Sequence, residues 1–334
     1  MENHITDLHI QHFKSIKDLK MDCQRINLLI GRPNVGKSNI LEALALFSAP
    51  YDNELKNLIR FEKVSNLFFD QNTQQEITVN CNLGEVKVSL NTSNDANLEM
   101  TLKNGDEVID FQRNIEQPSG IPLKHHNLPI KKYDFYPINF IERPESFFEK
   151  RPEGYLFPPH GVNLIDILQQ HKTLRQDIAV FFKEYDLELV LDIQRNQLEI
   201  QKRVDDLIYK MPYSLVADTL QRMIFHYAAI ESNQNAVLLF EEPENHSFPP
   251  YIRALAEKIV ESKTNQFFIT THSPYLFNTI IEKAAPDEVA VFITSFEDYQ
   301  TQAKKLTTQD ISQLADYGVD VFFNLNWFLN EQNA

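Results

Sequence analysis

Ile26-Asn27-Leu28-Leu29-Ile30-Gly31-Arg32-Pro33-Asn34-Val35-Gly36-Lys37-Ser38 sets a compact apolar run directly before the pattern G-x-x-x-x-G-K-[ST]. The run has the length and composition of a buried strand. Past Lys37, the residues Ile40, Leu41, Leu44, Ala45 and Phe47 recur at helical spacing, and Pro50 closes that segment. Strand, glycine loop and helix are the context in which this pattern holds phosphate. Its glycines let backbone N–H groups turn toward an anion, and the helix N-terminus adds partial positive charge. Lys37 reaches the β and γ phosphates, and the Ser38 hydroxyl is placed to ligate Mg²⁺. Gly31, Arg32, Pro33, Asn34, Val35, Gly36, Lys37, Ser38 and the following Asn39 are therefore the candidate nucleotide-binding residues.

Two further apolar runs end in polar groups. Ala236-Val237-Leu238-Leu239-Phe240 leads into Glu241-Glu242-Pro243-Glu244-Asn245, and Phe267-Phe268-Ile269 leads into Thr270-Thr271-His272-Ser273-Pro274. Open α/β sheets hold their ligands at the carboxyl ends of strands. One acid of the Glu241-Glu242 pair can hold magnesium through water while its neighbour orients and deprotonates an attacking water. A plain helix-capping role is the competing reading of the acids. The imidazole of His272 titrates near neutrality and can bond a γ-phosphate or that water.

The last third, with strands expected at 236–240, 266–270 and 288–293 and helices at 213–231, 251–260 and 274–283, predicts a mostly parallel sheet covered on both faces. Before the glycine loop, His4 to Ile10 and Phe13 to Met21 read as strands, and 76–80, 86–90 and 97–102 read as an antiparallel meander turning at 84, 91–94 and 103–106. Helices at 164–170 and 174–185 and a hairpin around Arg195-Asn196 complete the expectation.

Composition narrows the class. The 334 residues are 43% hydrophobic with 24 Phe, which excludes a disordered chain, and 8 Gly exclude a collagen-like one. Thirty-two basic against 47 acidic side chains leave a formal charge of −15, so contact with nucleic acid would need a local basic patch or a partner. Lys131-Lys132, Lys202-Arg203 and Lys304-Lys305 are only pairs, which read as solvated surface. Cys23 and Cys81 lie in no CxxC, and 315–329 carry no acidic cluster of a metal-dependent nuclease. No run of 18 apolar residues exists and the first seven residues do not read as a signal peptide, so a cytoplasmic protein without a membrane span is expected.

In order and spacing, 31–38, 238–244 and 270–274 resemble the Walker A, Walker B and H-loop motifs of ABC-type ATPases, and the chain is similar to their AAA-annotated RecF/OLD/SMC-like branch. Ile10-Gln11-His12-Phe13-Lys14-Ser15-Ile16 is similar to that branch's opening strand motif. The resemblance implies an α/β P-loop NTPase fold: an ABC-ATPase-like head (1–50 and 211–334) with an antiparallel β portion near the N-terminus. Residues 51–210 would be the rest of the N-terminal lobe plus an inserted mixed lobe. It also implies ATP and Mg²⁺ as cofactors, Glu241 on the metal side in place of the usual Asp, Glu242 as catalytic base and His272 as γ-phosphate sensor. The signature motif that meets a second subunit's ATP would fall at Pro212 to Arg222, where no glycine occurs and Ser214, Asp218 and Thr219 are the candidates; a helix N-cap is their bland reading. No Q-loop residue is singled out among Gln71, Gln74 and Gln75.

Two functions are expected on this basis. The first is an ATPase that dimerises, or forms a higher oligomer, around ATP in DNA maintenance or antiviral defence with a separate effector; OLD-type proteins carry a fused nuclease, for which this chain has no room. The second is a slow ATP-dependent switch or scaffold that regulates a partner nuclease or toxin. A GTPase is disfavoured by the lack of an N-K-x-D segment.

Overall fold

A computed structural model describes residues 4–51, 55–91, 97–104, 107–114, 135–138, 148–149, 154–311 and 321–330. Lys131-Lys132, the turn expected at 91–94 beyond Asn91, the end of the turn at 103–106 and most of the first half of 315–329 lie outside the described residues.

The centre is a six-stranded sheet of order β15-β14-β3-β13-β12-β8. Its strands are β3 (Ile26–Gly31), β8 (Phe135–Ile138), β12 (Val237–Glu241), β13 (Gln266–Thr270), β14 (Val289–Glu297) and β15 (Gln300–Lys305). All neighbours run parallel except β15, which returns antiparallel on β14. Because side chains alternate across a strand, each central strand divides its apolar residues between two cores. Leu28, Leu238, Phe240, Phe267 and Ile269 join one core; Leu29, Leu239, Phe268 and Phe292 join the other. Burial on both faces explains why these strands read as unbroken apolar runs rather than alternating ones.

One face is covered by α3 (Leu164–Gln170), α4 (Lys172–Lys183), α5 (Asp218–Ser232), α6 (Pro249–Glu261) and α7 (Pro274–Lys283). On the other lie α1 (Lys37–Ala45), the short α2 (Leu55–Leu58) and a second six-stranded sheet, entirely antiparallel, of order β2-β1-β4-β5-β6-β7. Those strands are β1 (Asp7–Phe13), β2 (Ile16–Asp22), β4 (Ile77–Cys81), β5 (Gly84–Asn91), β6 (Asn97–Asn104) and β7 (Glu107–Asn114). A three-stranded sheet of β9 (Glu188–Asp192), β10 (Gln197–Val204) and β11 (Leu207–Pro212) precedes α5, and α8 (Leu325–Asn330) follows β15.

Several boundaries differ from the sequence expectation, which also held no strand at β7 or β8. Phe13 to Met21 is not one strand: the chain turns between β1 and β2, with His12 and Lys14 at φ 57° and 51°. The helix expected from Tyr213 begins only at Asp218, because Val216 and Ala217 keep non-helical backbone after a 3-10 turn over Tyr213–Leu215 that buries Tyr213. The edge strands β11 and β15 were not expected as strands; their residues are mostly polar or exposed and carry no two-residue apolar period. The glycine loop, Glu241-Glu242 and His272 all fall at the carboxyl ends of adjacent parallel strands, β3, β12 and β13.

Candidate active site

The loop between β3 and α1 turns through Asn34 at φ 62° and Gly36 at φ 97°. Successive left-handed and right-handed residues of this kind aim backbone N–H groups into one concavity, an anion nest. Gly36 precedes α1 directly, so the loop opens onto the helix N-terminus. The ammonium of Lys37, on a side chain only 5% exposed, donates to the carbonyls of Gly31 (3.0 Å) and Arg32 (2.9 Å) across the mouth of the loop. Its pKa is lowered by burial and pushed the other way by Glu242 and Glu241, so both acids lie within its electrostatic reach. Arg32, Pro33 and Asn34 are exposed, Val35 is buried and Ser38 is half-buried.

The loop is braced from elsewhere in the chain. Thr301 in β15 donates from its hydroxyl to Val35 O (2.9 Å), its amide donates to Ser15 O (2.8 Å), and the two hydroxyls bond at 2.6 Å. Asn39 donates from its amide to the Ser15 hydroxyl at 2.6 Å, so its side chain braces this loop. The sequence reading took Asn39 with the nucleotide and gave no role to Thr301, whose polar strand offers no signal.

Glu242 occupies the left-handed region at φ 45°, uncommon for a residue with a side chain; it costs about 1–3 kcal/mol and persists only where the surroundings enforce it. Here they do. Its amide donates to Thr270 O (3.0 Å) and to the Thr270 hydroxyl (3.1 Å), and its own carbonyl accepts from Asn245 N (3.0 Å). The carboxylate accepts from the Asn245 side-chain amide at 2.8 Å and sits 3.4 Å from Nε2 of His272. Burial, then Lys37, lowers the pKa of His272, with Glu242 opposing. Lys37, Glu242 and His272, from three strand ends, thus share one electrostatic field.

Glu241 is engaged differently. Its carboxylate accepts from Arg60 Nη2 at 2.8 Å, and Arg60 Nε donates at 2.9 Å to Glu42, a buried acid of α1 that also pairs with Lys14. Glu42 follows Ser38 by one helical turn, so Arg60 ties the α1 helix to the end of β12. Sequence reasoning searched this region for a glutamine and missed the arginine, whose partner lies 181 positions away.

The signature candidates gather at the start of α5, and none caps it: Ala217 holds the N-cap position. Asp218 pairs with Arg222 at 2.7 Å, the Thr219 hydroxyl donates at 2.5 Å to His246 O in the turn after Glu242, and Ser214 is exposed.

The donor set fits a magnesium–triphosphate group. Among the described residues no cluster of three or more His, Cys, Asp or Glu side chains could enclose a metal alone. A hydroxyl at Ser38 and a carboxylate at Glu241 are hard oxygen donors of the sort Mg²⁺ uses alongside waters and substrate phosphates.

A family model described as "AAA domain, putative AbiEii toxin, Type IV TA system" matches residues 103–278, more than half of the chain. The chain belongs to this AAA family. The match includes Glu241, Glu242 and His272 and begins beyond the glycine loop. A Helicobacter pylori protein named ATP/GTP phosphatase is 22% identical over 317 residues, covering 80% of this AAA chain and 85% of its own length. A crystallised Smc head bound to the C-winged-helix domain of ScpA aligns at TM-score 0.53 with 14% identity over 91% of this chain and 98% of its own. An Smc head with an extended coiled coil, bound to the C-terminal domain of ScpA from Pyrococcus furiosus, aligns at TM-score 0.51 with 13% identity over 94% and 99%. The AAA chain therefore has the P-loop ATPase fold of an SMC-like head. Among the described residues no helix is long and apolar enough to cross a membrane.

Proposed function

We propose that this AAA protein hydrolyses ATP at the ends of β3, β12 and β13, with Glu242 as general base, and that two copies close around the nucleotide. The observation that carries the reading is the left-handed Glu242, held by Thr270 and Asn245 so that its carboxylate faces His272 and the buried Lys37. Lys37 and the loop amides bind the triphosphate, while His272, whose pKa burial and then Lys37 lower against the pull of Glu242, donates to the γ-phosphate or accepts from the attacking water. Ser38 and Glu241 would hold Mg²⁺, which neutralises charge on the β and γ phosphates when bound. Thr219, Asp218 and Ser214 would meet the nucleotide of the facing copy. A separate effector, in a toxin–antitoxin or DNA-directed setting, fits the family's description and the partner-bound Smc heads.

A slower, switch-like cycle is favoured by one observation: Arg60 already engages the carboxylate that would serve the metal. Steady-state hydrolysis by the purified protein separates the two readings. Turnover that is removed by Lys37→Ala together with nucleotide binding, and lowered about 10²–10⁴-fold by Glu242→Gln with binding retained, supports the enzyme. Tight binding without turnover in the unaltered protein supports the switch. The relative's name couples ATP with GTP, so competition between the two belongs in the same assay.

A further inference from the structure

Glu244 is an acid that neither nucleotide nor metal chemistry needs, yet it is only 8% exposed. Burying a carboxylate is costly unless donors meet it. Two do, and both on the same oxygen: the Thr271 hydroxyl at 2.6 Å and the backbone amide of His272 at 2.8 Å reach Oε1. Its other oxygen, Oε2, is buried without a hydrogen-bond partner. Burial raises its pKa while those two bonds lower it.

The bonds continue beyond the pair. The Thr271 hydroxyl, having donated to Glu244, accepts from Ser273 N at 3.0 Å, and the Ser273 hydroxyl caps α7 by accepting from Leu276 N at 3.4 Å. Backbone on both sides of His272 is thereby fixed, and its imidazole stands between, 3.4 Å from Glu242. The turn that carries Glu244 is the one that holds Glu242, so a single turn after β12 sets both partners. A glutamine would supply the same accepting oxygen without burying a charge.

We propose that Glu244 is a positioning residue, whose carboxylate registers the end of β13 against the turn after β12 and so fixes where the His272 imidazole stands relative to Glu242. This rests on the reading that Glu242 and His272 act together on the nucleotide.

The test compares Glu244→Ala, Glu244→Gln and Thr271→Val, each with and without His272→Ala, by turnover, ATP affinity and the pH titration of the His272 ring followed by NMR. Misplacing a reacting group by about 1 Å can cost about 10²-fold. Glu244→Ala is expected to lower kcat about 10- to 100-fold with ATP affinity within about twofold, and to add little once His272 is alanine. Glu244→Gln, keeping the accepting oxygen, is expected to stay within a few-fold of the unaltered protein, and Thr271→Val, which deletes one donor, to fall between. The His272 titration midpoint should move toward the ordinary histidine value in Glu244→Ala, a change visible without any hydrolysis. If His272→Ala leaves turnover unaltered, the functional reading fails and the ring titration alone judges Glu244. Equal losses from Glu244→Ala with and without His272, or an unmoved titration in a folded Glu244→Ala or Thr271→Val protein, would overturn the proposal.

Discussion

Gly36 shows how tightly the glycine loop is fitted. It sits at φ 97°, and a Cβ there would lie 2.0 Å from the Thr301 hydroxyl and 2.7 Å from that of Ser15. The left-handed backbone alone costs a residue with a side chain about 1–2 kcal/mol, and the clash would push apart the brace that joins β15 to the loop. Gly36→Ala should therefore abolish nucleotide binding and lower the melting temperature; retention of wild-type ATP affinity in a titration would show that the loop does not depend on this packing. Glu242 presents the opposite case, a bulky residue kept in the same region by its bonds to Thr270 and Asn245. Thr270→Val removes one of those bonds without changing size much. It is expected to reduce turnover more than ATP binding, which comparison of kcat with a directly measured Kd would reveal.

Among the elements, Arg25 ties three together. Only 4% exposed, its guanidinium donates to Ser262 O at 2.7 Å and to Ile259 O and Val260 O at 3.3 Å, satisfying carbonyls at the C-terminus of α6 just before β3 begins. It also donates to Glu288, next to the start of β14, at 3.1 and 3.2 Å. Arg25 and then Lys263 hold the Glu288 carboxyl down to about 2. Because the folded pKa lies below the unfolded value, the resulting stability is complete above about pH 5 and is lost as pH falls toward 2. Glu288→Gln should cost on the order of 2–3 kcal/mol in denaturant melts at pH 7. The difference from wild type should shrink steadily through pH 4 to 3; a pH-independent difference would assign the loss to packing. Elements with a strong burial signal, the unbroken apolar run of β13 and the helical period of α7, were legible in the sequence to the residue. The edge strands β11 and β15 were not, because an edge strand has little apolar surface to hide and is ordered by its neighbour's backbone.

At the scale of the whole molecule, the site exists because parallel strands end together. Lys37, Glu242 and His272 stand far apart in the chain, yet each was legible as the polar end of an apolar run. The supporting contacts around them, Arg60 with Glu241, Glu244 with Thr271 and the His272 amide, and Thr301 with Ser15, were not, for those contacts span up to 286 positions and carry no local spacing. In solution, the Glu242→Gln protein in Mg·ATP should sediment at twice the mass of the single chain and return to one chain once nucleotide is removed. Persistent single chains would speak against closure of two copies. The most direct measurement is the identity of the nucleotide that Glu242→Gln retains after incubation with Mg·ATP and rapid desalting. Intact ATP is the predicted result, whereas ADP formed as fast as by the unaltered protein would contradict the role given to Glu242.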